Sequence, residues 1–174
     1  MEKDMLEMMR SRRSIRKYSD KAVPKELIDK VIEAGLYAAS GMNRQDTIII
    51  AVTDKVHIEE LSKTNAAIMG RDIDPFYGAP VVLIVLADKN APTYIYDGSL
   101  TIGNMLLEAH ALGLGSCWIH RAKEEFESPE GKAILKKLGI DGDHEGIGHV
   151  ALGYIDGDLP GIIERKPGRV YRDE

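Results

Sequence analysis

The chain has 174 residues, 44% of them hydrophobic and 29% charged, with a net charge of -5. That is long enough for one domain with its own core, and the composition excludes a disordered chain. The acidic balance excludes a general electrostatic grip on nucleic acid, and a single cysteine, Cys117, excludes an internal disulfide framework.

In chain order, Met5, Leu6 and Met9 have helical spacing, so a short first helix is expected to end near the run RSRRSIRK at Arg10–Lys17. Pro24 suits the first turn of a second helix, and Leu27, Ile28, Val31, Ile32 and Leu36 form its apolar stripe. DTIIIAVTD and APVVLIVLAD are continuous β-branched runs, which predicts two buried strands with a modest helix over 56–70 between them. Residues 97–114 read as a largely buried helix stopped by Gly113 and Gly115. GSCWIH follows as a strand, then a surface helix with Ser128 as N-cap before Pro129, and GIGHVALGY as the last core strand. The remaining residues, rich in Gly and Pro, predict an extended arm. The expected organisation is one α+β domain over 1–155 whose arm, 156–174, lies on something else.

The apolar run Ala79–Ala87 is too short to span a bilayer, and the charged first ten residues carry no apolar leader. A cytoplasmic protein with no membrane or nucleic-acid partner is therefore expected. HEGIGH at His144–His149 has the wrong spacing for a zinc helix, so no metal site is expected there. GLGSC lacks the third glycine of a dinucleotide loop and follows a helix instead of a strand. Cys117 and His120, three apart in a strand, point to opposite faces and do not form a nucleophile–base pair. No catalytic side chain is assigned.

Two polar stretches remain. Arg12, Arg13 and Arg16, with Ser14 between them, sit where a helix gives way to a loop. They form either a solvated basic loop or a grip on a terminal phosphate. Three charge-assisted bonds at about 1.5–3 kcal/mol each supply roughly 5–9 kcal/mol before ordering costs, enough to hold a phosphorylated cofactor. SGMNRQ at Ser40–Gln45 precedes a buried strand. Its donors and acceptors suit a flat heteroaromatic ring, and Gly41 lets a backbone come close.

Taken together, RRSIRKY, AASGMNRQ, LGLGSCWIH, HVALGY and a late RKP resemble the FMN-dependent nitroreductase family over nearly the whole chain. The resemblance implies a three-layer fold, a mostly antiparallel sheet flanked by helices, with the C-terminal arm swapped onto a partner in a homodimer. It implies FMN as cofactor and NADH or NADPH as electron donor, with ping-pong reduction of a small-molecule acceptor such as a nitroaromatic or quinone. It assigns Arg12, Arg13 and Ser14 to the FMN phosphate, Arg16 to the pyrimidine side of the ring, and Arg165 to the phosphate again. Ala39, Ser40, Gly41, Asn43 and Gln45 match the family loop, some of whose contacts reach the flavin held mainly by the partner. Trp118, Ile119 and His120 match the stretch beside the flavin N5, acting largely through backbone. Ala39 stands where the family usually has proline, and Asp46-Thr47 where Pro-Trp is frequent, which touches substrate range more than cofactor binding. Reductive dehalogenation, flavin breakdown and a non-catalytic FMN-binding module are the alternatives on this fold.

Overall fold

The computed structural model describes residues 4–173. The expected domain bounds at 1 and 174, and the first three residues of the charged opening stretch, fall outside them. Helix α1, Met5–Ser11, starts where the Asp4 carboxylate accepts from the Leu6 N–H and buries only Met8. Helix α2, Lys25–Leu36, follows Pro24, which stands as its N-cap just outside the first turn. Ile28 and Val31 of its apolar stripe are buried, but Leu36 is 56% exposed. Gly35 lets α2 cross the later helix that carries Met105 closely: a Cβ there would lie 2.8 Å from Met105 Cγ.

Strand β1, Thr47–Val52, leads into α3, Lys55–Met69, capped by Asp54 and ended by left-handed Gly70. Strand β2, Val81–Asp88, is buried almost throughout, as an unbroken β-branched run should be. Helix α4, Tyr94–Ala111, lies three residues earlier at both ends than the predicted 97–114, with Leu112 as its C-cap. Strand β3 is Gly115–Ile119, so His120 falls just past its end. A short helix with no apolar period, α5, Ala122–Glu127, comes next. Helix α6, Pro129–Lys137, is capped as expected by Ser128, whose hydroxyl accepts from the Gly131 N–H at 3.1 Å. HEGIGH opens strand β4, His144–Gly153.

Among the described residues the sheet has four strands in the order β1-β2-β4-β3, every neighbouring pair antiparallel. A bulge leaves Ile147 without a partner, between the pairs Val85–Gly148 and Leu86–Gly146. One face carries Ile50, Ile84, Leu86, Cys117 and Ile119 beneath α3, α5 and α6. The other carries Leu83, Val85, Val150 and Leu152 beneath α2 and α4. This is a three-layer α+β fold. No helix of the described residues is long and apolar enough to cross a membrane.

Two segments outside the regular elements position the site. After α1 the chain runs along the open edge of β3, held by the Ile15 N–H donating to Ser116 O at 3.0 Å. The buried Tyr18 hydroxyl donates to Ile15 O and Ala151 O, at 2.9 and 3.2 Å. Past Asp156 the arm forms no regular element and is exposed along its length.

Candidate cofactor-binding site

The arginine run is split between helix and edge segment. Helix α1 stops at Ser11, and Arg12 leaves it at φ -58°, ψ 135°, an extended conformation. Arg10, Arg12, Arg13, Ser14 and Arg16 then line a cavity of about 570 Å³. Its other wall is residues 160–165 of the arm, which brings Arg165 to the same space as the arginines almost 150 residues before it.

The guanidinium groups are not equivalent. Arg13 is spent on backbone: its Nε donates to Pro160 O at 3.2 Å, and its Nη1 to Arg10 O and Arg12 O at 2.7 and 2.8 Å. It ties the turn to the arm. Arg12 Nη1 is shielded from solvent and has no hydrogen-bond partner among the described residues. A buried charged donor left unpaired is costly, and an anionic group placed against it would offset that cost.

Arg16 is exposed and lies over the Tyr77 ring, 5.9 Å from its centroid. It also lines a second, smaller cavity with Trp118, Ile119 and His120, and so joins the two spaces. Trp118 is 51% exposed and packs at a tilt against His120, ring centroids 5.6 Å apart. Cys117 points into the core, as the strand alternation requires. Burial pushes its thiol up, while the positive charge of Arg16 and a hydrogen bond with Ser14 pull less strongly the other way. It is not a nucleophile in this state.

The second predicted group is built separately. Gly41–Asn43 form one tight 3-10 turn, with Met42, Asn43 and Gln45 at φ 55°, 53° and 52°. The Gln45 N–H donates to Ser40 Oγ at 3.1 Å and the Gln45 side chain to Asn43 Oδ1 at 3.2 Å, while Ala39 is exposed. Asp97, only 3% exposed, anchors the turn: its carboxylate accepts from the Gly41 N–H at 3.0 Å and from Thr93 Oγ1 at 2.7 Å. Gly41 is needed because a Cβ would run into the Thr93 hydroxyl, so the close approach is by α4. Asp46 sits beside this pair with both carboxylate oxygens shielded and without a hydrogen-bond donor. Burial holds its carboxyl above the ordinary range, and neighbouring Asp97 adds to the effect.

The structure therefore brings Arg12, Arg13, Ser14, Arg16 and Arg165 together, with Trp118, Ile119 and His120 adjoining through Arg16. It does not bring Ala39, Ser40, Gly41, Asn43 and Gln45 to them. That loop feeds β1, at the opposite edge of the sheet from β3. Three strand spacings at about 4.8 Å put the two edges roughly 14 Å apart. Sequence reasoning missed Asp97, whose one available signal is an acidic residue at the head of an otherwise apolar helix. It also missed Tyr77 beneath Arg16.

The family model that matches is described as the nitroreductase family, over residues 9–71 and 71–154. A nitroreductase of Bacteroides fragilis, solved with bound FMN, has a TM-score of 0.90 and 32% identity, covering 99% of this chain and 100% of that one. A Methanothermobacter thermautotrophicus relative, whose provisional name joins NADH dehydrogenase and NAD(P)H nitroreductase, is 36% identical over 120 residues, 66% of this chain. The FMN reductase (NAD(P)H) of Bacillus subtilis is 33% identical over 166 residues, 92% of this chain. The matched stretch spans 60% and 58% of the length of these two relatives.

Proposed function

The chain belongs to the nitroreductase family, and from that premise we propose that it is an FMN-dependent oxidoreductase that reduces a small acceptor such as a nitroaromatic or quinone. One observation carries the reading: the unpaired, buried Arg12 Nη1 in a cavity walled by further arginines from both ends of the chain. That donor set fits a phosphate, so the residues present suit FMN. Bound there, FMN would supply two-electron chemistry between NADH or NADPH and the acceptor, with ping-pong kinetics expected.

The chain's own residues bind and orient. Arg12, Ser14 and Arg165 hold the phosphate. Arg13 keeps the arm in reach through its bond to Pro160 O. Arg16, with no carboxylate partner among the described residues, offers positive charge toward the electron-rich edge of the ring. The backbone of Trp118, Ile119 and His120 lies beyond it, and no side chain is asked to act as acid or base. The Ser40–Gln45 loop completes the site of a second copy, which makes the unit a homodimer. Residues 1–155 form the FMN-binding domain and 156–174 the arm that embraces the partner.

The test is the absorbance spectrum of the purified protein, followed by NADH and NADPH oxidation with nitrobenzene or menadione as acceptor. Flavin bands with acceptor-dependent turnover support the reading. Flavin bands without turnover leave a binding module, and no flavin affinity ends the proposal.

A further inference from the structure

Arg121 has no role in the reading above, yet three features of its setting belong together. Its backbone lies at φ 77°, in the left-handed region that favours glycine. A non-glycine residue is strained there and persists only when its surroundings hold it.

The side chain is held from behind. Arg121 Nε donates to Asn65 Oδ1 at 3.0 Å. Fully buried Asn65 in turn donates to His120 O at 3.0 Å and to Glu125 Oε2 at 3.3 Å. This network fixes the plane of the guanidinium and uses none of its terminal nitrogens. Arg121 makes no ion pair with a carboxylate among the described residues.

The third feature is the small cavity that Arg121 shares with Arg16 and His120, walled by Trp118, Tyr77 and Met69. None of its lining residues is acidic, in a chain whose net charge is -5. Its volume is about 110 Å³, below the ~150 Å³ that takes up a benzene ring. The space suits an oxyanion group, while Trp118 and His120 offer flat surfaces for the ring that carries it.

We propose that Arg121 recognises a carboxylate on the acceptor, so that the protein prefers anionic aromatic acceptors to neutral ones of the same shape. The preorganised guanidinium offers paired N–H donors, and Arg16, which lines the same cavity, adds a second positive charge. Speaking of an acceptor rests on the oxidoreductase reading; the anion site does not.

Arg121→Gly removes the guanidinium and suits the backbone angle, so the variant is expected to fold. Arg121→Lys keeps the charge without the planar fork. With the FMN-loaded proteins, the ratio of kcat/KM for 4-nitrobenzoate to that for nitrobenzene should fall about ten-fold or more in Arg121→Gly, the loss of one charge-assisted contact, and recover in part in Arg121→Lys. Calorimetric titration with benzoate, against benzamide, should show a preference for the anion in the parent that Arg121→Gly loses. An unchanged ratio, or a parent with no preference for benzoate, overturns the proposal. So does an equal loss for both acceptors accompanied by weaker FMN binding, which would put Arg121 on the flavin. If the parent reduces neither nitro compound nor menadione, the oxidoreductase reading fails, and the benzoate titration alone decides the anion site; if it reduces menadione alone, that reading stands and the titration again decides.

Discussion

Arg12 and Arg13 are neighbours in the sequence with different partners in the fold. Arg13 satisfies three carbonyls, whereas Arg12 ends in a shielded nitrogen with none. Arg12→Ala should weaken FMN binding about ten-fold or more while changing riboflavin binding little, since a phosphate contact is what it removes. Fluorescence titration of the apo-protein with both ligands checks this; equal losses for the two would remove Arg12 from the phosphate. Motif spacing identifies the basic cluster but says nothing of which guanidinium is already occupied, because the occupying groups are carbonyls that every residue carries. Asp46 was legible only as a departure from the family pattern. Its raised carboxyl means that the folded chain binds the proton more tightly than the unfolded chain does. Stability is then lost as pH rises from the ordinary carboxylate range through the raised value. Asp46→Asn should melt higher than the parent at pH 7, and the difference should shrink toward pH 4. Scanning calorimetry at both pH values gives the answer, and a variant that melts lower at pH 7 refutes the account.

At the scale of elements, the periodic and β-branched segments were readable because burial imposes their pattern. Strand β2 and the stripe of α2 are the clearest cases. Helix α5 was not readable: six residues, mostly charged, have no period to detect, and Arg121 before it carries no cap hydrogen bond. What holds α5 is tertiary. Glu125 and Phe126 are buried under the sheet, and a Cβ on Gly146 of β4 would run into the Ala122 carbonyl. Read as sequence, the glycines of HEGIGH only weaken a helix. In the fold, Gly146 is the clearance that lets α5 settle on the strand. Gly146→Ala should therefore cost about 1–3 kcal/mol, the usual price of overpacking a tight contact. A urea midpoint unchanged from the parent would show that α5 moves aside freely.

At the scale of the molecule, the chain leaves much apolar surface uncovered: Tyr37, Met42, Tyr96, Ile162 and Tyr171 are all largely exposed, Tyr171 at 91%. On the homodimer proposed above, deleting residues 156–174 should release flavin and leave a monomer by sedimentation, and a flavin-loaded monomer would refute the embrace. The motif order identifies the family, but it does not reveal that the arginine run and the Ser40–Gln45 loop lie at opposite edges of the sheet. Neighbourhood across strands depends on the β1-β2-β4-β3 order, which linear spacing does not carry.

That separation has a genetic consequence. If each site takes its arginines from one copy and its loop from the other, two defective chains can complement each other. One parent would carry Arg12→Ala, the other Asn43→Ala with Gln45→Ala, and both sites of either pure pair are damaged. A mixed pair gathers both lesions into one site and leaves its other site whole. Random assortment on co-expression should then restore about a quarter of all sites, read as flavin absorbance per chain against either parent alone. Flavin content no higher than the parents' average would mean that arginines and loop do not serve one cofactor across two chains.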